Sequence, residues 1–359
     1  MIPRVLRATT DADEPFVVRL RNAANDCSDD DAVLIGGESH RPLYSGRSGL
    51  LEVEGVTALE LDGDVILVTP KSQRAERLIR AASDHNTLLV TERCDQLCVM
   101  CSQPPKKTHV DRFAALTTAA LLSPPNCVIG ITGGEPTLYK GQLLGMLEYV
   151  LTRRRDLRFH VLSNGQHFDE GDVERLRDPV YRRVQWGIPL YAATSDLHDE
   201  IVGKAGAFGR LQQSFALLIA AGASVELRTV LLSSNIDLLP ELARHVISRL
   251  GFVEVWSIMQ LENIGFARGR WSRLYVDHSL NFGPIADAVS TAVLHGVKAR
   301  LFNFARCTVP PEYRDYAVAS ISDWKRRYAS ACGGCSERDR CSGFFEWHPD
   351  PDAVGVTPL

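Results

Sequence analysis

Six short apolar stretches, each followed by a helix-like pattern, run from residue 87 to residue 261, and this alternation restricts the fold more than any other feature. The stretches are TLLVT (87–91), CVIGITG (127–133), RFHVLSN (158–164), RVQWGIPLY (183–191), SVELRTVLL (224–232) and VEVWSIMQL (253–261). RFAALTTAALL, QLLGMLEYVLTRRRD, GDVERLRD, FGRLQQSFALLIAAG and DLLPELARHVISRLG lie between them, patterned as helices. Strand–helix alternation favours an α/β fold in which helices cover a parallel sheet. Six units are too few for a closed barrel and suit a partial (β/α)6 TIM-type barrel, whose active-site groups gather on the loops at the carboxyl ends of the strands.

The loop after the first strand, TERCDQLCVMCSQPPKK (91–107), holds Cys94, Cys98 and Cys101 as CxxxCxxC. The amino-terminal MIPRVLRATTDADEPF has no continuous apolar segment, so no signal peptide is expected. No stretch approaches the ~18 apolar residues of a membrane span. The expectation is a cytoplasmic protein with reduced thiols, whose clustered cysteines read as metal ligands or catalytic groups before disulfides. Thiolates suit zinc or iron–sulfur clusters. CxxxCxxC alone could be half of a zinc site completed by a distant residue. Three thiolates on three irons of a 4Fe–4S cube would instead leave the fourth iron open to a ligand.

At this point the chain resembles the radical S-adenosylmethionine (radical SAM) superfamily, defined by CxxxCxxC after the first strand of a partial barrel. ITGGEPTL (131–138) is similar to the family's GGEP stretch, which implies that Gly133, Gly134, Glu135 and Pro136 meet the amino group of S-adenosylmethionine. Glycines leave room for a ligand against the backbone, and a carboxylate partners an ammonium taken from water. The resemblance extends to Ser163 and Asn164, which an ordinary turn would also use. It extends to Arg228 as a grip on the methionine carboxylate, with an ion pair as the alternative, and to Met259 or Gln260 beside the adenine. It implies catalytic Cys94, Cys98 and Cys101 holding a 4Fe–4S cluster, reductive cleavage of S-adenosylmethionine to a 5′-deoxyadenosyl radical, and hydrogen abstraction from a substrate C–H bond. The cofactor carries the difficult chemistry while the protein orients and excludes water.

Flanking regions complete the reading. Residues 1–86 form a small β-rich module with strands FVVRLRN, AVLIGG, LLEVEG and DVILVTP, and QRAERLIRAAS (73–83) predicts a short helix. Residues 87–285 form the barrel and residues 286–359 a cysteine-rich tail, where Cys332, Cys335 and Cys341 form CxxCxxxxxC and Cys307 could close a set of four. Four thiols satisfy a second 4Fe–4S cluster or a structural zinc. The tail resembles a shortened SPASM/twitch auxiliary-cluster domain, which favours the cluster. The leader, LLVTERCDQLCVMCSQPPK and NFARCTVPP together are most similar to the His-Xaa-Ser system radical SAM maturase family (C component). That implies modification of a ribosomally made peptide (RiPP chemistry), a second radical SAM maturase as partner, and an electron donor such as flavodoxin or ferredoxin. Alternatives are a radical SAM enzyme acting on tRNA or a small metabolite, and a non-catalytic metal-cluster or electron-transfer protein. A net charge of −4 argues against nucleic acid. His198, in LHDEIVG, matches a loop pattern of peptide-modifying relatives but could equally face water on a helix.

Overall fold

The computed structural model describes residues 4–25, 27–352 and 355–359. The chain divides into two compact units, one of residues 1–90, 110–132 and 141–160 and one of residues 91–109, 133–140 and 161–359.

In the first unit β1 (Val5–Thr10), β2 (Phe16–Arg21), β3 (Asp31–Glu38), β4 (Arg41–Gly46), β5 (Gly49–Glu54), β6 (Val65–Thr69) and β7 (Arg74–Ile79) close into a barrel in the order β1-β5-β4-β3-β2-β6-β7. Closure comes from β7 returning antiparallel to β1, with Val5 opposite Glu76. Side chains alternate along each strand, so Leu6 and Ala8, Val18 and Leu20, and Leu51 and Val53 meet in one buried core. The short helix α1 (Ala58–Leu61), begun by a Thr57–Glu60 capping box, adds the buried Leu61. The helix expected over 73–83 is instead β7. Arg77 on this strand is buried and paired with Asp64 at 2.6 Å. A barrel strand can carry such a charge when its partner is buried with it.

Seven further strands form a sheet in chain order: β8 (Asn86–Thr91), β9 (Val128–Gly133), β10 (Arg158–Leu162), β11 (Val184–Pro189), β12 (Ser224–Val230), β13 (Val255–Met259) and β14 (Lys298–Phe302). The intervening helices are α2 (Phe113–Leu121), α3 (Lys140–Arg153), α4 (Glu170–Leu176), α5 (Ser195–Val202), α6 (Ala207–Ala221), α7 (Leu239–Arg249), α8 (Trp271–Leu274) and α9 (Gly283–Leu294). β11, β12, β13 and β14 pair in parallel, Arg228 lying opposite Pro189 and Ser257, and Met259 opposite Phe302. The buried Trp256 fixes this register by donating its indole N–H to Thr229 Oγ1 at 2.9 Å, while Thr229 donates to the Leu190 carbonyl at 2.6 Å. The fold is thus mixed α/β with a parallel sheet. All six expected strands are present, and β14 is a seventh that falls in the region assigned to the tail. KARLF alternates exposed and buried positions because it ends the strand order, so it lacks the continuous apolar run of a central strand.

Beyond β14 the chain makes short turns and a two-stranded antiparallel ribbon, β15 (Arg326–Arg327) with β16 (Phe344–Phe345). Among the described residues no helix is long and apolar enough to cross a membrane.

Candidate functional site

All residues singled out from the sequence as ligands lie in the second unit. The thiol loop starts where β8 ends and runs beside the turn after β9: Gly134 N–H donates to the Thr91 carbonyl at 2.9 Å and Glu135 N–H to the Arg93 carbonyl at 2.7 Å. A Cβ on Gly133 would stand 2.4 Å from Thr91 O, and one on Gly134 2.1 Å from Arg93 O. The space that the sequence reading kept for a ligand is taken by the chain's own backbone. These two glycines let the thiol loop dock on the turn.

The rest of the loop is held by main-chain bonds. Leu97 and Val99 N–H donate to the carbonyls of Val202 and Ile201, at 3.1 and 2.8 Å, at the end of α5. Arg270 donates to the Val99 carbonyl at 2.8 Å and Phe266 N–H to the Cys101 carbonyl at 2.9 Å. Gly265 adopts φ +58°, where a Cβ would lie 2.3 Å from Cys101 O; only glycine fits both demands.

Cys94, Cys98 and Cys101 are free and half-buried. Burial pushes the Cys94 thiol up to about 11 and the Cys98 thiol up to about 12, and Cys98 is raised further by the charges of Cys101 and Cys94. Cys101 is also raised by burial. Among the described residues the three thiols do not form a group gathered to hold a metal ion.

Glu135 is fully buried and anchors the turn. Its Oε1 accepts from Thr137 N–H at 2.8 Å, Thr137 Oγ1 at 2.5 Å and Ser163 Oγ at 2.8 Å, and its Oε2 from Asn164 N–H at 2.5 Å. Burial raises its carboxyl above the ordinary range despite these donors. Pro136 opens the short 3-10 turn that Glu135 caps, where its missing N–H costs nothing. Asn164 then reaches back to the thiol loop, donating Nδ2 to Asp95 at 2.8 Å with Cys94 Sγ at 4.0 Å. Asp95 also receives Lys204 and contacts His167 at 3.3 Å. Burial alone would raise the Asp95 carboxyl, but hydrogen bonds from His167, Lys204 and Asn164 outweigh it and hold it well below the usual range.

The structure therefore joins Cys94, Glu135, Ser163 and Asn164 into one constellation. Tyr191 is a buried ring whose hydroxyl is raised well above its normal value, first by burial. Arg228 pairs with the buried Glu226 at 2.9 Å, the ion-pair alternative left open by the sequence. Gln260 turns elsewhere: its amide meets His278 Nδ1 at 2.6 Å and the Val276 carbonyl at 3.0 Å, and His278 continues to Thr308 Oγ1 at 2.7 Å. His198 does not face water. It is buried, accepts Tyr191 N–H at 3.3 Å and stacks on that ring. Asp95, Lys204, His167, Thr137 and Tyr191 were not singled out from the sequence. Of these, Asp95, lying between two motif cysteines, Thr137, inside ITGGEPTL, and Tyr191, closing an apolar strand, carried a local signal.

In the tail, Cys307, Cys332, Cys335 and Cys341 line one small cavity. Cys341 Sγ accepts N–H from Arg306 and from Gly343, each at 3.3 Å, and Cys335 Sγ accepts from Leu359 N–H at 3.5 Å. Ala305, Phe344 and Val356 pack around the sulfurs. Among the described residues no three His, Cys, Asp or Glu side chains form a single-ion site. Backbone donors aimed at sulfur in an apolar wall fit a thiolate-held cluster.

No protein-family model matches the chain, and no curated protein does. Among solved structures, Streptococcus suis SuiB bound to its precursor peptide SuiA matches with a TM-score of 0.50 and 14% identity over 63% of this chain and 50% of that one. SuiB bound to S-adenosylmethionine gives the same TM-score and identity, covering 63% of this chain and 52% of that one. A radical SAM methyltransferase from Sphaerobacter thermophilus matches at 0.46 and 17%, over 67% and 73%. The chain spans about half the length of SuiB. At 14% identity the likeness to SuiB shows a shared fold alone.

Proposed function

We propose that the protein is a radical SAM enzyme that modifies a ribosomally made peptide, of the His-Xaa-Ser maturase type. The observation that carries this reading is the constellation in which Cys94, through Asn164, meets the buried Glu135 and Ser163, beside two further thiols of CxxxCxxC. On this reading β8–β13 of the region bounded at 87–285, with β14 added from beyond it, are the wall of a partial barrel, residues 1–86 are an accessory module, and residues 286–359 hold an auxiliary site.

Cys94, Cys98 and Cys101 would hold a 4Fe–4S cluster, which when bound and reduced supplies the electron that cleaves S-adenosylmethionine. The chain's own residues do the rest. Glu135, Ser163 and Asn164 set the polar edge against which the ligand's amino group lies; the carboxylate acts through the turn it stiffens, since its four donors already occupy it. Arg228 offers its guanidinium fork to the ligand carboxylate in exchange for part of its pairing with Glu226. Tyr191 and the apolar residues around Cys98, among them Met100 and Leu261, exclude water from the sulfurs. Cys307, Cys332, Cys335 and Cys341 would hold a second 4Fe–4S cluster, with zinc as the competing occupant. A peptide substrate is favoured by the likeness to SuiB, which was solved with a precursor peptide. The low-potential electron, from a flavodoxin- or ferredoxin-like donor, and the second maturase suit the reducing cytoplasm.

The test is anaerobic purification with iron and sulfide counts, followed by S-adenosylmethionine and a reductant. About eight irons per chain with release of 5′-deoxyadenosine supports two clusters and catalysis. Four irons and one zinc would reassign the tail, and a fully loaded, reduced sample that leaves S-adenosylmethionine intact would overturn the enzyme reading.

A further inference from the structure

We propose that Lys204 is a positioning residue that buckles the thiol loop to the end of β10, acting through Asp95 to hold Asn164 against Cys94 and Glu135; this rests on reading that loop as the S-adenosylmethionine site. Asp95 directly follows Cys94, and its two oxygens divide the work. Oδ1 takes the Asn164 amide at 2.8 Å, while Oδ2 takes the Lys204 ammonium with His167 at 3.3 Å.

Lys204 comes from the turn between α5 and α6, the same stretch whose Ile201 and Val202 carbonyls hold Val99 and Leu97. That turn is itself rigid. Asp199 accepts the N–H groups of Gly206 at 2.5 Å and Phe208 at 2.7 Å, and its carbonyl accepts Lys204 N–H at 3.1 Å. One short segment thus fixes the loop by main-chain bonds at its middle and by an ion pair at its start.

The orientation of Asn164 is fixed from the other side. Its Oδ1 accepts Gln166 N–H at 3.0 Å, which leaves Nδ2 facing Asp95 and the Cys94 sulfur. Because Asn164 also donates its backbone N–H to Glu135 at 2.5 Å, a shift at Asp95 passes to the turn that bears GGEP.

The test compares full-length, anaerobically loaded wild type with K204M, K204R and D95N. Three readouts are taken: iron and sulfide content, S-adenosylmethionine affinity from its perturbation of the reduced cluster's electron paramagnetic resonance signal, and hydrogen exchange of residues 94–101. Expected results are near-normal cluster content in K204M, affinity weakened on the order of tenfold, as for loss of a charge-assisted hydrogen bond, and faster exchange confined to the thiol loop. K204R should restore both, and D95N should reproduce K204M. Unchanged affinity and exchange in K204M and D95N would overturn the buckle while leaving the cluster reading standing. A wild type that binds no S-adenosylmethionine would overturn the cluster reading and, with it, the ligand half of the proposal.

Discussion

Around Cys94 the side chains of Asn164, Asp95 and the Glu135 cap form a hydrogen-bonded network, while Cys98 packs among apolar residues; around Cys307, Cys332, Cys335 and Cys341 the sulfurs meet apolar residues and backbone N–H donors, and the side chains of Arg306, Glu337 and Arg338 line the cavity without a hydrogen bond to sulfur among the described residues. A polar side-chain scaffold is suited to orienting a ligand whose own polar groups must be met. Backbone donors on sulfur stabilise the thiolates themselves and offer nothing to a third party. Under the proposed function, the contrast assigns exchange and chemistry to the three-thiol site and retention to the four-thiol site.

The sharpest way to break this contrast is Cys98→Ala. It should abolish 5′-deoxyadenosine formation, a loss of at least about 10³-fold, the scale expected for one member of an interdependent set. The tail's iron should stay, counted as about four per chain. Loss of all iron would mean that the two sites are not separable.

Glu135→Gln comes next. A glutamine keeps one acceptor for the three donors on Oε1 but turns an amide N–H toward the Asn164 N–H that now meets Oε2. A donor left facing a donor in a buried site costs about 1–3 kcal/mol. S-adenosylmethionine affinity should fall on the order of tenfold to a hundredfold, measured by titration, with tail iron unaffected. Cys335→Ser should have the converse profile. It should lose the tail's cluster yet keep S-adenosylmethionine cleavage within about tenfold of wild type, since it touches no group of the three-thiol constellation. Cleavage falling as far as in Cys98→Ala would show that retention is not the tail's role.

How far the sequence disclosed this arrangement depends on how local each part is. CxxxCxxC and GGEP are contiguous motifs at strand ends, so Cys94, Cys98 and Cys101 could be picked out by their spacing and Glu135 by the resemblance to the family's GGEP stretch. The ties between them are not contiguous. Lys204 is far along the chain from Asp95, and only the order of strands brings the end of α5 to the thiol loop. The glycines were legible as close-approach positions but not as to what approaches. The answer, the Thr91 and Arg93 carbonyls, is set by pairing between loops. β7, read as a helix, carries the buried Arg77–Asp64 pair, and β14 was misread because a strand at the end of the order needs apolar residues on one face only. In the tail, the four thiols were legible as a set, whereas the Arg306, Gly343 and Leu359 donors are backbone groups that no residue type announces.

The mildest prediction concerns pH and again separates the two regions. Burial lowers the His198 imidazole from 6.5 to about 4, opposed by Asp199, and lowers His278 likewise to about 4, opposed by Asp277. His198 sits on α5, which grips the three-thiol loop, whereas His278 hydrogen-bonds Thr308 beside Cys307. Each folded pKa lies below the unfolded one, so the unfolded chain takes up the proton first. The stabilisation is complete above about pH 6.5 and is lost progressively as pH falls toward about 4. Over that whole span the loss from each histidine amounts to about 3 kcal/mol, and near neutral pH almost none of it has occurred. His198→Asn keeps an acceptor for the Tyr191 N–H and does not titrate. Denaturation followed across this range should show an acid slope reduced by about one proton relative to wild type, with hydrogen exchange at residues 94–101 losing its acid sensitivity and the Cys307 region keeping it. The same slope in both proteins, or a change that appears first around Cys307, would mean that α5 does not secure the three-thiol loop separately from the tail.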